Sequence, residues 1–401
     1  MSDHILTINA GSSSIKFALF DAAALDCAAL GQVDGIGSHP RLTLRNGRGE
    51  PLPADVSAGE RLVADHAGAL ATILAVIRER FPNARVAAAG HRVVHGGPDF
   101  AAPVVVTADI LRQLEAFVPL APLHQPHNVS GIAAAMRTFP GVPQVACFDT
   151  AFHRAHPFVN DVFALPRALY EQGVRRYGFH GLSYEYVTGR LAEISPFHAG
   201  GRVVVCHLGA GASMCAARQG VSVASTMGFS PLDGLPMATR PGQLDPGVLL
   251  YLMDQKGMDA KSISDLLYRE SGLKGLSGIS GDMRDLEASD DPRARQAIEY
   301  FVFRVRREIG GMAAVLQGLD AIVFCGGIGE NSRTIREAVL TGMEWIGIEL
   351  DPARNRAGAD VISADRSAVR VFVIRTNEEL MIARHTAELV RREQVGGVRV
   401  A

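Results

Sequence analysis

The sequence predicts an α/β protein built as two related domains. Three observations lead there. Each half opens on two β-rich runs joined by a small-residue turn, strand-like and helix-like patterns alternate between those openings, and 401 residues exceed the roughly 250–300 at which one hydrophobic core stops growing.

Taken in order, HILTINAGSSSIKFALFD reads as a hairpin with the tip AGSSS. From Ala58 to Phe81, the residues Leu62, Val63, Ala67, Leu70, Ile73, Leu74 and Ile77 fall near a 3.6-residue period and predict a helix. The strand-like VAAAGHRVVHGG follows, as a β-α-β alternation requires, and QVACFDTAFHR is another apolar run ending in polar residues. The domain break is expected just after it, giving 1–149 plus 385–401 as one domain and 150–384 as the other. RVVVCHLGAGASMCAAR, Arg202 to Arg218, repeats the opening hairpin. Arg293 to Gln317 predicts a long amphipathic helix, AIVFCGG a strand leading into the helical GENSRTIREAVL, and TNEELMIARHTAELVRR a last helix capped by Thr376 or Asn377 that returns to the first domain.

Hydrophobic residues at 47% and charged residues at 20% are the balance of a soluble globular chain. Forty Lys plus Arg against 42 Asp plus Glu, with no run of five like charges, offer no general attraction to nucleic acid or an anionic membrane. Five cysteines, an odd number without a CxxC pair, read as reduced, buried thiols of a cytoplasmic protein. MSDHILTINAG lacks the architecture of a signal peptide, and no run of about 18 apolar residues is present to span a bilayer.

Glycine-rich tips recur as AGSSS, GAG, SGISGD and GGIGEN. One such tip is an ordinary turn; several can bring backbone N–H groups against the phosphates of a nucleotide, although none matches the P-loop pattern. Lys16 follows the first tip and can project toward it, a solvated strand lysine being the ordinary alternative. Asn9 offers an oxygen suited to a magnesium shell or simply to a buried turn. Arg92, in HRVVHGG, has the fork that grips a carboxylate, while His91 and His95 are assigned to structure, since i, i+4 on a strand is too long for a ligand pair. His124 in APLHQPHN, His180 in YGFHGLS and Arg240 in MATRPGQLDPG stand in loop-rich settings and can neutralise charge on a transferring phosphoryl group.

INAGSSSIK, GHRVVHGG, APLHQPHN, FDTAFH, YGFHGLS, HLGAGAS, MATRPGQLDPG, SGISGDMRD, GGIGEN and TNEELMIA stand in the order found in acetate kinases, and the resemblance spans nearly the whole chain. It implies two duplicated domains of the actin, sugar kinase and heat-shock ATPase type around a central cleft, 1–149 with 385–401 on the substrate side and 150–384 on the nucleotide side. It further implies reversible transfer of the ATP γ-phosphoryl group to acetate, with Mg²⁺ or Mn²⁺, in a cytoplasmic homodimer.

Residue by residue, the resemblance implies that Asn9 and Glu378 hold Mg²⁺, and that Lys16, with Ser12 and Ser14 of the tip, meets nucleotide phosphates. His207, Leu208, Gly209, Ala210 and Gly211 would form the phosphate loop of the second half. Asp282, Met283 and Arg284, with Gly327, Ile328, Gly329, Glu330 and Asn331, would enclose adenosine. Arg92 and Arg240 would bind acetate and the moving phosphoryl group, His180 would stabilise the transition state with His124 close by, and Val94, Leu123, Phe179 and Pro231 would form the methyl pocket. Ala210 departs from the family, which commonly carries a polar residue there, often asparagine.

A carboxylate with a pKa of about 4 is ionised at neutral pH and needs no general base to attack phosphorus in line. Asp149, the family's catalytic acidic residue, is therefore expected to orient Mg²⁺ or an arginine. The alternatives are a propionate kinase, with which such a methyl pocket overlaps, and a non-catalytic actin-like nucleotide-binding module, which has no use for a carboxylate-sized arginine pocket.

Overall fold

The computed structural model describes residues 2–11, 14–53 and 65–397. The chain divides into two compact units, Met1–Ala151 with Asn377–Ala401, and Phe152–Thr376. The sequence-based boundaries put the return to the first unit at 385. The division at Asn377 follows from packing, because the helix Glu378–Gly397 lies on the first unit's sheet from its start.

In the first unit, β1 (Ser2–Ala10), β2 (Ser14–Asp21), β3 (Cys27–Asp34), β4 (Arg41–Asn46), β5 (Pro51–Leu52), β6 (Ala84–Val93), β7 (Val104–Val105) and β8 (Gln144–Phe148) form one sheet in the order β5-β4-β3-β2-β1-β6-β8-β7. In the second, β9 (Arg202–Leu208), β10 (Ala212–Arg218), β11 (Val221–Ser225), β12 (Ala321–Cys325) and β13 (Arg370–Val373) order as β11-β10-β9-β12-β13. The duplication lies in the pairing. β1 is antiparallel to β2, β2 to β3, and β1 is parallel to β6 and β6 to β8; β9, β10, β11, β12 and β13 repeat that scheme in the same order.

Side-chain alternation splits the first sheet into two faces. Leu6, Ile8, Ile15, Phe17 and Leu19 turn to one face, where Leu70, Ile73 and Ile77 of the helix His66–Arg80 cover them. The expected beginning of that helix, including Leu62 and Val63, lies outside the described residues. Ile5, Ala18, Phe20 and Ala88 turn to the other face and meet Ala383 and Ala387 of the C-terminal helix. Small residues let that helix come close: a Cβ on Gly90 would lie 2.3 Å from Thr386 Oγ1 and 2.6 Å from Ile382 Cγ2. A helix advances about 6 Å in four residues and a strand about 6.6 Å in two. Glu378, one helical turn before Ile382, is thereby brought beside Arg92, two strand residues after Gly90, and it stands 3.8 Å from the Arg92 Nε.

The second unit buries Val203, Val205, Cys215 and Val323 against Tyr184, Val187 and Leu191 of the helix Gly181–Ile194. The helix Pro292–Leu316 packs on β9 and β10 and buries Phe301, Val305, Ile309 and Leu316. No helix among the described residues is long and apolar enough to cross a membrane.

Candidate active site

Period-two alternation also assembles the polar cluster of the first unit. Asn9 pairs in register with Lys16, and Ile8 with His91, so Asn9, Lys16 and Arg92 lie side by side at the ends of β1, β2 and β6, on the face covered by the C-terminal helix. Asp149 follows β8 by one residue and is 1% exposed. Its carboxylate takes the Nε–Nη2 edge of Arg92, with Nε donating at 3.0 and 3.1 Å and Nη2 at 2.5 Å. Arg92 Nη1 donates to Asn9 Oδ1 at 3.4 Å. Burial opposes the Arg92 charge, but Asp149, Glu378 and Glu379 outweigh it and hold its pKa above the ordinary value.

Glu378 begins the C-terminal helix, and Asn377 caps it by accepting from the Leu380 N–H at 3.0 Å. Burial pushes the Glu378 carboxyl above the usual range, Arg92 pulls it down, Glu379 raises it further and Lys16 lowers it. Lys16 is exposed and lines a cavity of ≈ 460 Å³ with Asn377 and Glu379. Ser14 is half-buried, and Ser12 lies outside the described residues. His124 precedes the helix Gln125–Thr138, Val94 is buried and Leu123 half-buried.

Two buried amides of the APLHQPHN motif brace this cluster, and sequence reasoning missed both. Asn128 Oδ1 accepts from the Val94 N–H at 3.0 Å while its Nδ2 donates to the Ala10 carbonyl at 2.9 Å, tying the ends of β1 and β6 together. Gln125 Nε2 donates to the carbonyls of His95 and Leu114. His91 and His95 are structural: His91 Nε2 meets Gln144 Oε1 at 2.8 Å, and the Gly97 N–H donates to His95 Nδ1.

In the second unit the hairpin tip between β9 and β10 gathers a second cluster. A Cβ on Gly211 would come within 3.0 Å of Arg240 Nη2 and 3.2 Å of His180 Nε2, so both side chains converge on that glycine. Arg240 Nη1 donates to the Pro231 carbonyl at 2.8 Å. His180 has a φ of 58° and a ψ of 24°, a left-handed conformation that costs a non-glycine residue about 1–3 kcal/mol. Its Nδ1 lies 2.8 Å from Ser213 Oγ, and its ring stacks on His207 with centroids 4.3 Å apart. Behind His207, Ser183 Oγ joins His207 Nδ1 to Thr376 Oγ1, both at 2.8 Å, and Glu330 Oε1 accepts from the N–H groups of Thr376 and Gly326. Ser183, three residues after the loop histidine His180, was the sequence signal for this support.

A cavity of ≈ 680 Å³ is lined by Gly209, Ala210, Asp282, Met283, Arg284, Gly327, Ile328 and Asn331, together with Ala238, Gly281, Glu287 and Ser332. His207, Leu208, Gly211, Gly329 and Glu330 do not line it. The reason is periodicity: the helix Gly326–Asn331 shows the cavity one face, and strand β9 turns Leu208 into the core. Arg284 pairs with Asp282 through Nε at 3.0 Å and, with its own N–H, holds that carboxyl down to about 2. Of the expected methyl pocket, Phe179 is buried in this unit and Pro231 meets Arg240. The described residues contain no group of three or more His, Cys, Asp or Glu that could hold a metal by themselves.

The family model described as "Acetokinase family" matches residues 4–384. An acetate kinase of Methylocella silvestris is 63% identical over 97% of this chain and 98% of its own length. Among solved structures, the Porphyromonas gingivalis acetate kinase is similar with a TM-score of 0.86 and 37% identity, covering 97% of this chain and 100% of that one. A propionate kinase from Francisella tularensis is similar with a TM-score of 0.89 and 35% identity, over the same shares.

Proposed function

Since the chain belongs to the acetokinase family, we propose that it transfers the γ-phosphoryl group of ATP reversibly to acetate, giving acetyl phosphate and ADP. The observation that carries this reading is the Arg92 guanidinium. Asp149 grips one edge and Asn9 steadies Nη1, which leaves the Nη1–Nη2 edge for a planar carboxylate. An idle nucleotide-binding module has no use for such a fork.

The nucleotide would occupy the ≈ 680 Å³ cavity, with its phosphates toward the Gly209–Gly211 tip, where Arg240 and His180 meet charge that develops on the moving group. Lys16 would meet phosphate oxygens. Ala210 brings no side-chain donor, so backbone N–H groups would serve there. Acetate arrives ionised; no step needs Asp149 as a base, and its bond to Arg92 supports an orienting role.

The donor set fits Mg²⁺. Asn9 Oδ1 and the half-buried Glu378 carboxylate are hard oxygen ligands, too few for a closed cage and suited to an ion that keeps waters and nucleotide phosphates in its shell. When bound, the ion would neutralise phosphate charge; Mn²⁺ would serve as well.

A propionate kinase is the second reading, favoured by the likeness to the Francisella tularensis enzyme. The test is acyl-hydroxamate formation from acetate, propionate and butyrate, with and without Mg²⁺. A Mg²⁺-dependent signal greatest with acetate supports the first reading; one greatest with propionate replaces it; none with any acid removes both.

A homodimer is also part of the proposal. The helix Pro246–Lys256 buries no residue, yet carries Leu250 at 58% exposure and Tyr251 at 52%, an apolar surface suited to a second copy. Light scattering on the purified protein tests it. We place the protein in the cytoplasm, in keeping with Cys206 and Cys215 as buried thiols.

A further inference from the structure

The FDTAFH motif supplies Asp149 to Arg92, and its last residue, His153, has a task in the other unit. His153 ends the short helix Ala151–His153, is fully buried and is not itself among the expected substrate residues. Its Nε2 lies 3.0 Å from the Phe179 carbonyl, which can only accept, so Nε2 carries the proton. The ring is neutral, because burial first, then His156, push its pKa down to about 3. Nδ1 is therefore a lone pair, and Ser222 Oγ, 2.8 Å away, must donate its one proton to it. His156 Nε2, at 2.7 Å, and Cys215 Sγ, at 3.2 Å, are then left to donate to that same oxygen. The whole chain of donors points one way and ends on the Phe179 carbonyl.

That carbonyl belongs to the residue before His180. The neighbouring residue on its other side, Gly178, has a φ of 74°, and a Cβ there would fall 2.6 Å from His153 Cδ2, so the imidazole lies directly on the Gly178 backbone. Gly178 and His180 thus both hold left-handed conformations, with the peptide between them anchored by His153 and the His180 ring anchored by Ser213. A left-handed histidine persists where its surroundings over-determine it.

We propose that His153 is a positioning residue: through the Phe179 carbonyl it holds His180 in the conformation that aims Nε2 at Gly211. The proposal rests on the reading that His180 stabilises the transferring phosphoryl group. His153 acts on where that charge sits and on nothing in the nucleotide cavity, so its loss should appear in turnover rather than in ATP binding.

The test compares His153→Gln, whose amide N–H reaches the Phe179 carbonyl, with His153→Asn, whose shorter amide serves Ser222 but not Phe179. His180→Ala and the double variant His153→Asn/His180→Ala complete the set, with kcat for acetyl phosphate formation, ATP affinity and Tm read on each. Expected is a loss of about 10²-fold in kcat for Asn at unchanged ATP affinity, recovery of most of it by Gln, and a double variant no slower than His180→Ala. Losses that multiply in the double variant overturn the proposal, as does full turnover in His153→Asn. A folded, ATP-binding Gln variant as slow as His180→Ala also overturns it, even where the Asn variant does not fold. Full turnover in His180→Ala would instead remove the reading of His180 itself.

Discussion

Asp149 and Arg92 form a two-toothed pair in which the carboxylate, 1% exposed, takes the Nε–Nη2 edge of a guanidinium that is itself 20% exposed. An acidic residue so engaged is an orienter. Asp149→Asn should lower kcat/KM for acetate by about 10²–10³-fold, the scale on which misaimed charge-stabilising donors act. The loss should persist at high pH, since no proton abstraction is missing. Full recovery at alkaline pH, or with a better nucleophile than acetate, would return Asp149 to the role of a base.

Arg240 converges with His180 on Gly211 and is steadied by the Pro231 carbonyl. Arg240→Ala should cut kcat by about 10²–10³-fold, with Tm nearly unchanged. Steady-state kinetics beside a thermal melt checks both halves. An unchanged kcat removes Arg240 from the chemistry.

Ala210 is exposed on the wall of the ≈ 680 Å³ cavity. Ala210→Asn adds a donor where nucleotide is expected, and one hydrogen bond is worth about 1 kcal/mol, so KM for ATP should fall about fivefold. A KM that stays level would mean the backbone N–H groups already suffice.

Burial raises the Glu378 carboxyl, against the pull of Arg92, so its ionised form weakens the fold above its ordinary pKa. Glu378→Gln should therefore raise Tm at neutral pH. The wild-type protein should gain Tm on adding Mg²⁺, and the Gln variant should not. An equal Mg²⁺ shift in both, read by thermal melting, would move the ion elsewhere.

Burial pushes His91 down to about 4, against its bond to Gln144, and brings His156 to about 4 as well. Unfolded, each titrates near 6.5. As pH falls from about 6.5 to about 4, the unfolded chain takes up protons that the folded one refuses, so stability falls over that window and is fully present above it. His91→Gln should remove about 1.4 kcal/mol per pH unit of that decline, as measured by denaturant unfolding at successive pH values.

Local pattern alone carried both hairpins, the long helix near Phe301 and the cap at Asn377, because turn residues and apolar periodicity act over a few neighbours. The motif order named Arg92, Asp149, His180 and Arg240. Which of their atoms meet was not legible, since Arg92 and Asp149 lie 57 residues apart and His180 and Ser213 33 apart. Strand register brings Asn9, Lys16 and Arg92 into one row, and the bare backbone at Gly90 lets the C-terminal helix bring Glu378 to them. Helical and strand periodicity likewise decided that Asn331 faces the cavity while Glu330 turns to Thr376. The sequence by itself determined which chemical groups this protein carries and the elements that carry them; only tertiary packing, which couples residues distant in the chain, decided which groups share a site and which brace it from behind.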